Sequence, residues 1–503
     1  MLNAQAASDA LIDQIRDDAG VWSPEQLKDL LTIGRRQRAP DYDTVVRAIA
    51  VRYAGDQQGV VKDALRKRYP KTADNLPIDP VNWLRFFARQ DSGVYEVPPK
   101  RELVEGDEGE GEPLDENDPR AIAFRDALDD VGADVLMPEV ERRANAGARC
   151  VFVLLGFRMS EPVAHVYWPH DVVTICHHSA PDDERAMWFC AIRQAREQSE
   201  AAADVWWVWS REFSEADDGT VTFGAWSHRR VSEDGKIATP SEVYEGLFPG
   251  AFLRTEAPQG GMWPEPDRDV IVNVDALNVA RSNRQHVIDM QAHATTVYTG
   301  SLRDTNELVG GPGSVLQIGS SETIQYLVPG ADHTAIEASA TRDLQELGVS
   351  RGNSPDAYAV EPGAPQSGVS RIIANAPHEQ RIAEMRPIFR RFEEYRLWPI
   401  LVDILARFDA DSPSDFGGAM PRVTMSTGKT YEDDKAKVDR VLALKGAGII
   451  DDADARVMLG MDKDRASALA YLESIRTTAQ PRVSLPGALA GSPFTAPRET
   501  TEQ

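Results

Sequence analysis

Apolar residues recur at three- and four-residue steps through residues 376–408: Ile382, Met385, Phe389 and Phe392, then Leu401, Ile404, Leu405 and Phe408, with charged residues between them. That spacing lines them up on one stripe, so the segment is expected to be one long amphipathic helix. Pro387 and Pro399 each remove a backbone donor and crowd the preceding turn, and kinks are expected at both. Ahead of the helix, residues 348–368 are too rich in Gly and Pro to continue one, and they are long for a connection inside a core. Loops of that length are functional or disordered.

The first hundred residues read as helices, with 44–68 weakened at Gly55 and Gly59 and a short aromatic helix over 81–90. Residues 102–118 are dominated by acid, Gly and Pro and are expected to form an exposed, mobile insertion. Helix returns over 121–146. From Arg149 the period changes to two, with short Val- and aromatic-rich runs at 149–157, 162–168, 171–176, 186–195, 204–213 and 220–230. This predicts an antiparallel β region in which Trp207 and Trp209 share one face and Trp206 takes the other. Beyond a Gly/Pro-rich connection, a helix is expected from Asn273 to a stop at Gly300, then strands at 314–318 and 323–328, a helix over 334–347, a strand at 422–425 and compact helices between 431 and 476. The helices at 273–297 and 334–347 have apolar faces too narrow to be buried within one subunit, so neighbouring copies are expected to cover them. The tail, 477–503, reads as disordered.

The 503 residues suffice for two to four domains, and 42% hydrophobic content supports real cores. A formal charge of −25 excludes a tight, sequence-independent DNA binder, which needs a surplus of Lys and Arg. Three cysteines, Cys150, Cys176 and Cys190, make no disulfide framework, and no apolar N-terminal segment resembles a signal peptide, so synthesis in a reducing cytoplasm is expected. No run of about 18 apolar residues occurs, and no membrane partner is expected.

Candidate chemistry is thin. Ser426-Thr427-Gly428-Lys429-Thr430 has the end of a phosphate-binding loop, but Val423 stands where the required first Gly would be. Cys176, His177, His178 and Cys190, with His165 and His170 nearby, are zinc-capable types without CxxC or HExxH spacing. On a strand, consecutive His177 and His178 would point to opposite faces. No catalytic residue, metal ligand or cofactor is therefore assigned.

The order of elements resembles the portal proteins of tailed bacteriophages, and local strings do too: 82–100 (NWLRFFARQDSGVYEVPPK), 326–330 (YLVPG), 367–371 (SGVSR) and 444–460 (LKGAGIIDDADARVMLG). The resemblance covers most of 81–475 and implies an α+β portal fold. N-terminal helices and a β-rich wing take 1–272, stem helices 273–299 and 332–348 flank a small α/β clip at 300–331, and a tunnel loop takes 349–370. A long kinked core helix and wing return (371–430), a helical crown (431–476) and a disordered tail complete it. It further implies a homo-oligomeric ring, dodecameric in the virion, assembled in the host cytoplasm and seated at the capsid portal vertex. Its partners would be the major capsid protein and scaffold, the terminase large subunit, a head–tail adaptor, and double-stranded DNA packaged and ejected through the channel without sequence specificity. Arg351, Asn353, Ser354, Asp356, Tyr358 and Glu361 would line the channel on the tunnel loop, and Arg281 and Arg284, one turn apart, would meet DNA or bridge subunits. An acidic lumen would keep the grip on phosphate low. Two other classes remain open: a cytosolic nucleotide- or zinc-dependent hydrolase using Lys429, or Cys176 and His178, and an acidic protein-binding scaffold.

Overall fold

The computed structural model describes residues 24–68, 70, 78, 80–106, 111–158, 161–194, 205–216, 220–232, 237–238, 246–258, 261–292, 295–299, 323–327, 333–353, 368–410, 412–426, 441, 445, 451–458 and 465–478. The chain divides into two units: 1–366 with 373–428, and 367–372 with 429–503.

The larger unit mixes helix and sheet in layers. α1 (Pro24–Arg36), α2 (Tyr42–Ala54), α3 (Gln58–Arg68) and α4 (Trp83–Gln90) lead into β1 (Lys100–Val104), α5 (Pro119–Asp130), α6 (Ala133–Arg143) and a widened π-turn, Ala144–Ala148. Gly55, at φ 92° where a side chain would be strained, ends α2 and separates it from α3. Then come β2 (Cys150–Arg158), β3 (Glu161–Tyr167), β4 (Val172–Cys176), β5 (Met187–Arg193), β6 (Val205–Ser210), β7 (Phe213–Glu215), β8 (Val221–Phe223), β9 (Ser227–Ser232), β10 (Ile237–Ala238) and β11 (Gly250–Arg254). The strands make an antiparallel five-stranded sheet, β10-β9-β6-β5-β4, a three-stranded sheet, β11-β2-β3, and a β7–β8 hairpin.

Strand alternation decides which core each residue enters. Cys150, Phe152 and Leu154 of β2 face Val172, Cys190, Ile192 and Trp209 of the larger sheet, while Val151, Val153 and Leu155 turn to a helical layer with Phe124, Met137, Phe389, Trp398 and Leu401. The opposite face of the larger sheet, with Val173, Ile175, Trp206 and Val208, is covered by Leu27, Leu30 and Leu31 of α1. Gly34 lets α1 lie flush there, since a Cβ on it would sit 2.5 Å from Val173 Cγ1 and 3.0 Å from the Thr174 carbonyl oxygen. Trp206 and Trp209 fall in different cores with Trp207 packed beside Trp209, as the period-two pattern requires.

The acidic stretch is more ordered than its composition suggests. β1 pairs with β14 (Met420–Thr424), Leu103 and Val104 are buried, and Asp118 caps α5 through the Arg120 amide. Two apolar side chains and a distant partner strand outweigh the local charge; 107–110 lie outside the described residues.

α7 (Arg268–Ala292) begins before the expected Asn273 and stops before Gly300, because Thr295–Thr299 is a strand, β12, paired antiparallel with β13 (Thr323–Leu327). The β-branched Thr295, Thr296, Val297 and Thr299 favour the pleat over the helix. The expected strand at 314–318 lies outside the described residues. α8 (His333–Ser350) follows, then α9 (Gly368–Phe392), a π-turn (Glu393–Leu397) and α10 (Trp398–Phe408). The α-helix runs through Pro387, and the irregularity falls at 393–397. Pro399 there crowds the carbonyl of Tyr395, and the widened turn gives it room.

The first half of α7 is covered within its own chain, against expectation. Val270, Val274 and Leu277 pack with Ile49, Tyr53, Leu84, Phe87, Leu344 and Leu347. Arg52 donates twice to Asp275, and fully buried Asn278 bonds Gln57 at 2.5 Å and the Val81 amide at 2.9 Å. The N-terminal helices supply both apolar surface and polar partners, which the width of one stripe does not reveal.

In the smaller unit, α11 (Asp452–Met458) is capped by Asp451, whose side chain accepts from the Asp454 amide at 2.8 Å. Arg465, at the start of α12 (Arg465–Thr478), reaches Asp451 at 2.7 Å and Asp454 at 2.9 Å. Gly446, Gly448, Lys429 and the tail from 479 lie outside the described residues.

Candidate functional site: the buried Asp91 cluster

α8 delivers the chain to Arg351-Gly352-Asn353, and there it is tied down. Asp91, the residue that ends α4, has a side chain with no solvent exposure. Its carboxylate accepts from Arg351 Nε at 2.6 Å and Asn353 Nδ2 at 2.6 Å, and Arg381 Nη1 of α9 lies 3.5 Å away. The same guanidiniums reach the π-turn: Arg351 Nη2 donates to the Asn145 carbonyl at 2.6 Å and Arg381 Nη2 to Asn145 Oδ1 at 3.3 Å. Arg381 also donates to the Arg351 carbonyl at 3.1 Å. One buried anion thus joins four segments: the end of α4, the turn after α6, the residues after α8, and α9.

Beside it, buried Glu141 of α6 accepts from the Gly93 and Val94 amides at 2.8 and 2.9 Å. Burial raises its carboxyl above the usual glutamate range, against the pull of those amides. A second buried cluster lies along the rod formed by α9 and α10, at the π-turn between them. Glu393, in the π-turn, accepts from Tyr95 Oη at 2.6 Å, Arg101 Nε at 2.5 Å and Trp398 Nε1 at 2.6 Å. Arg101 continues to Asp134 at 2.6 Å. Burial first, and then the neighbouring Glu393, push the Tyr95 hydroxyl well up, so it stays a donor.

Of the residues named as channel-lining, Arg351 and Asn353 belong to this anchored base; Asn353 is only 5% exposed. Ser354, Asp356, Tyr358 and Glu361 lie outside the described residues. Arg281 and Arg284 sit on α7, both half-buried, and neither is without a partner. Asp91, Asn145, Arg381 and Glu393 carry no local signature: apart from Trp398, five positions from Glu393, their partners named above stand dozens to hundreds of positions away, and a single buried carboxylate has no spacing to read.

The cysteines are buried and free of disulfides. Cys176 and Cys190 are buried between the sheets, and burial pushes the Cys176 thiol up to about 12. His177 and His178 do not point to opposite faces, because β4 ends at Cys176 and both occupy the turn that follows, with ring centroids 4.2 Å apart. Among the described residues no helix is long and apolar enough to cross a membrane.

No family model matches this chain, and no curated protein matches it. Among solved structures it is similar to a chain in the virion of a native gene transfer agent (GTA) particle, at 11% identity and a TM-score of 0.39 over 76% of this chain and 90% of that one. It is also similar to a chain in the neck of an empty GTA particle, at 11% identity and a TM-score of 0.40 over 84% of this chain and 94% of that one.

Proposed function

We propose that this chain is the portal subunit of a tailed-phage-like particle. It would form a closed ring, dodecameric in the virion, at one capsid vertex, through which terminase packages DNA and from which DNA leaves. The observation that carries this reading is the order of elements: a β-rich body, α7, the β12–β13 pair, α8, the rod of α9 and α10 interrupted by its π-turn, and a helical unit, with a Gly- and Pro-rich stretch of sequence between α8 and α9. In a portal these are wing, stem, clip, stem, tunnel loop, core helix and crown. The net charge of −25 suits a channel wall along which phosphate must slide rather than stick.

Within this proposal the tunnel loop has two parts. Arg351 and Asn353 hold its base through Asp91, and Ser354, Asp356, Tyr358 and Glu361 meet the channel. Arg281 and Arg284 on α7 are the sparse cations of the stem, set either toward DNA or toward a neighbour's carboxylates. Among the described residues β12 and β13 pair only with each other, and copies of the chain would complete the outer edges in one another, making the docking surface for terminase and then the adaptor. Sedimentation velocity tests the assembly: a discrete ring-sized species is expected, and monomer alone at every concentration and salt would overturn the proposal.

A further inference from the structure

We propose that His177, His178 and Glu215 form a binding site for a divalent transition-metal ion of the zinc class, which clips the β7–β8 hairpin to the turn after β4. Their ligand atoms all lie within 4.8 Å of one another. The centre of the site is held by the fold. The His177 amide donates to the Ala186 carbonyl at 2.7 Å and its carbonyl accepts from the Ala180 amide at 3.1 Å, so the backbone there is fixed. Its side chain is 2% exposed, packed edge-on to Phe213 with centroids 5.0 Å apart. Nδ1 lies 2.8 Å from Ser179 Oγ, which leaves Nε2 as the nitrogen facing Glu215 Oε2, 3.9 Å away.

That arrangement is the one a metal-binding histidine uses, with one nitrogen held by a neighbour and the other aimed at the ion. The Ser179 amide donates to Nδ1 at 3.3 Å, so Nδ1 is an acceptor in the metal-free chain, and the Ser179 hydroxyl, 2.8 Å away, can donate or accept. Ion binding would exchange the longer amide contact for the shorter hydroxyl one: Nδ1–H donates to Ser179 Oγ, and the Nε2 lone pair goes to the ion. Zinc at ~2.0–2.1 Å from each ligand in a tetrahedron needs ligand atoms about 3.3 Å apart. His178 and Glu215 are exposed and turn inward to reach that spacing, while His177 stays fixed. Two neutral imidazoles, one carboxylate and a water complete a four-coordinate shell, and a chain of charge −25 raises no barrier to a cation. Glu215 ends β7, which among the described residues pairs only with β8, so the ion would tie that small hairpin to the larger sheet. This site is independent of the portal proposal.

Co²⁺ added to the chelator-treated full chain is the probe, with His178→Ala and Glu215→Gln as variants; both residues are exposed, so folding is not at stake. One equivalent of Co²⁺ is expected to give the intense visible bands of a tetrahedral site, Zn²⁺ to displace it, and each variant to lose at least tenfold in affinity. Zn²⁺ should also raise the melting temperature of the parent and not of the variants. Absence of tetrahedral bands at one equivalent, or bands that persist unchanged in both variants, would overturn the assignment.

Discussion

Glu393 in the rod and Asp91 at the loop base are equally buried, with side chains of no exposure, yet their charges are balanced differently. Glu393 faces one guanidinium, Arg101, and two neutral donors, Tyr95 and Trp398, all set in packed surroundings. Asp91 faces two guanidiniums and the Asn353 amide, and two of these three partners stand on the residues that lead out of α8. Removing Arg101 leaves Glu393, whose side chain has no exposure, without its cation. Removing Asp91 strands Arg351 and Arg381, and Arg381, 25% exposed, can be rehydrated. Burial alone therefore does not say what a buried charge does: Glu393 ties α9–α10 to β1, and Asp91 ties down the residues that lead out of α8.

The strongest way to break this contrast is Arg101→Met, which leaves Glu393 buried without its cation. A loss of about 3–5 kcal/mol in global stability is expected by chemical denaturation. A loss under about 1 kcal/mol would mean that the neutral donors suffice.

Asp91→Asn should cost less, about 1.5–3 kcal/mol, the range for hydrogen bonds to charged groups. Its signature is local. Amide exchange should accelerate over 348–353 while β2 and β5 keep their protection. Acceleration spread evenly over the sheets would erase the distinction between the two carboxylates. The double-mutant cycle with Arg351→Met sharpens it further, with a coupling of about 1–3 kcal/mol expected.

Glu141 extends the series to a buried carboxylate whose hydrogen bonds come from backbone amides alone among those described. Because its folded-state pKa is raised, the folded chain holds a proton that the unfolded chain has released. Its contribution to stability is therefore full below the ordinary glutamate value and declines as pH rises from there through the raised one. Glu141→Gln keeps an acceptor for both amides and removes that decline. Thermal melts should show the variant equal to or above the parent at neutral pH, with the advantage gone in acid. The smallest effect is expected from Arg281→Ala with Arg284→Ala, which should leave subunit stability within about 1 kcal/mol. The same pair sharpens the stem proposal: weakened rings would indicate subunit bridging, normal rings with altered packaging would indicate DNA contact, and normal assembly and packaging would remove both roles.

What the sequence discloses follows the range of the forces involved. The opposite placement of Trp206 and Trp209 is legible because strand alternation is local, whereas 44–68 reads as one helix with a weak point at Gly55, where the φ of 92° in fact ends α2. The strand at 100–104 was hidden by its acidic neighbours, since its partner lies at 420–424. The rod's irregularity was placed at prolines, whereas the turn ahead of Pro399 absorbs it. His177 and His178 were set on opposite faces by a period that stops one residue earlier. Asp91 and Glu393 could not be read at all, because each site exists only once distant segments meet.

Electron microscopy of the purified full chain tests the central proposal most directly. Closed rings are expected, with a central channel wide enough for duplex DNA and with α7 and α8 running beside it. Particles without a closed ring, or rings whose centre is filled by protein too narrow for DNA to pass, would contradict it.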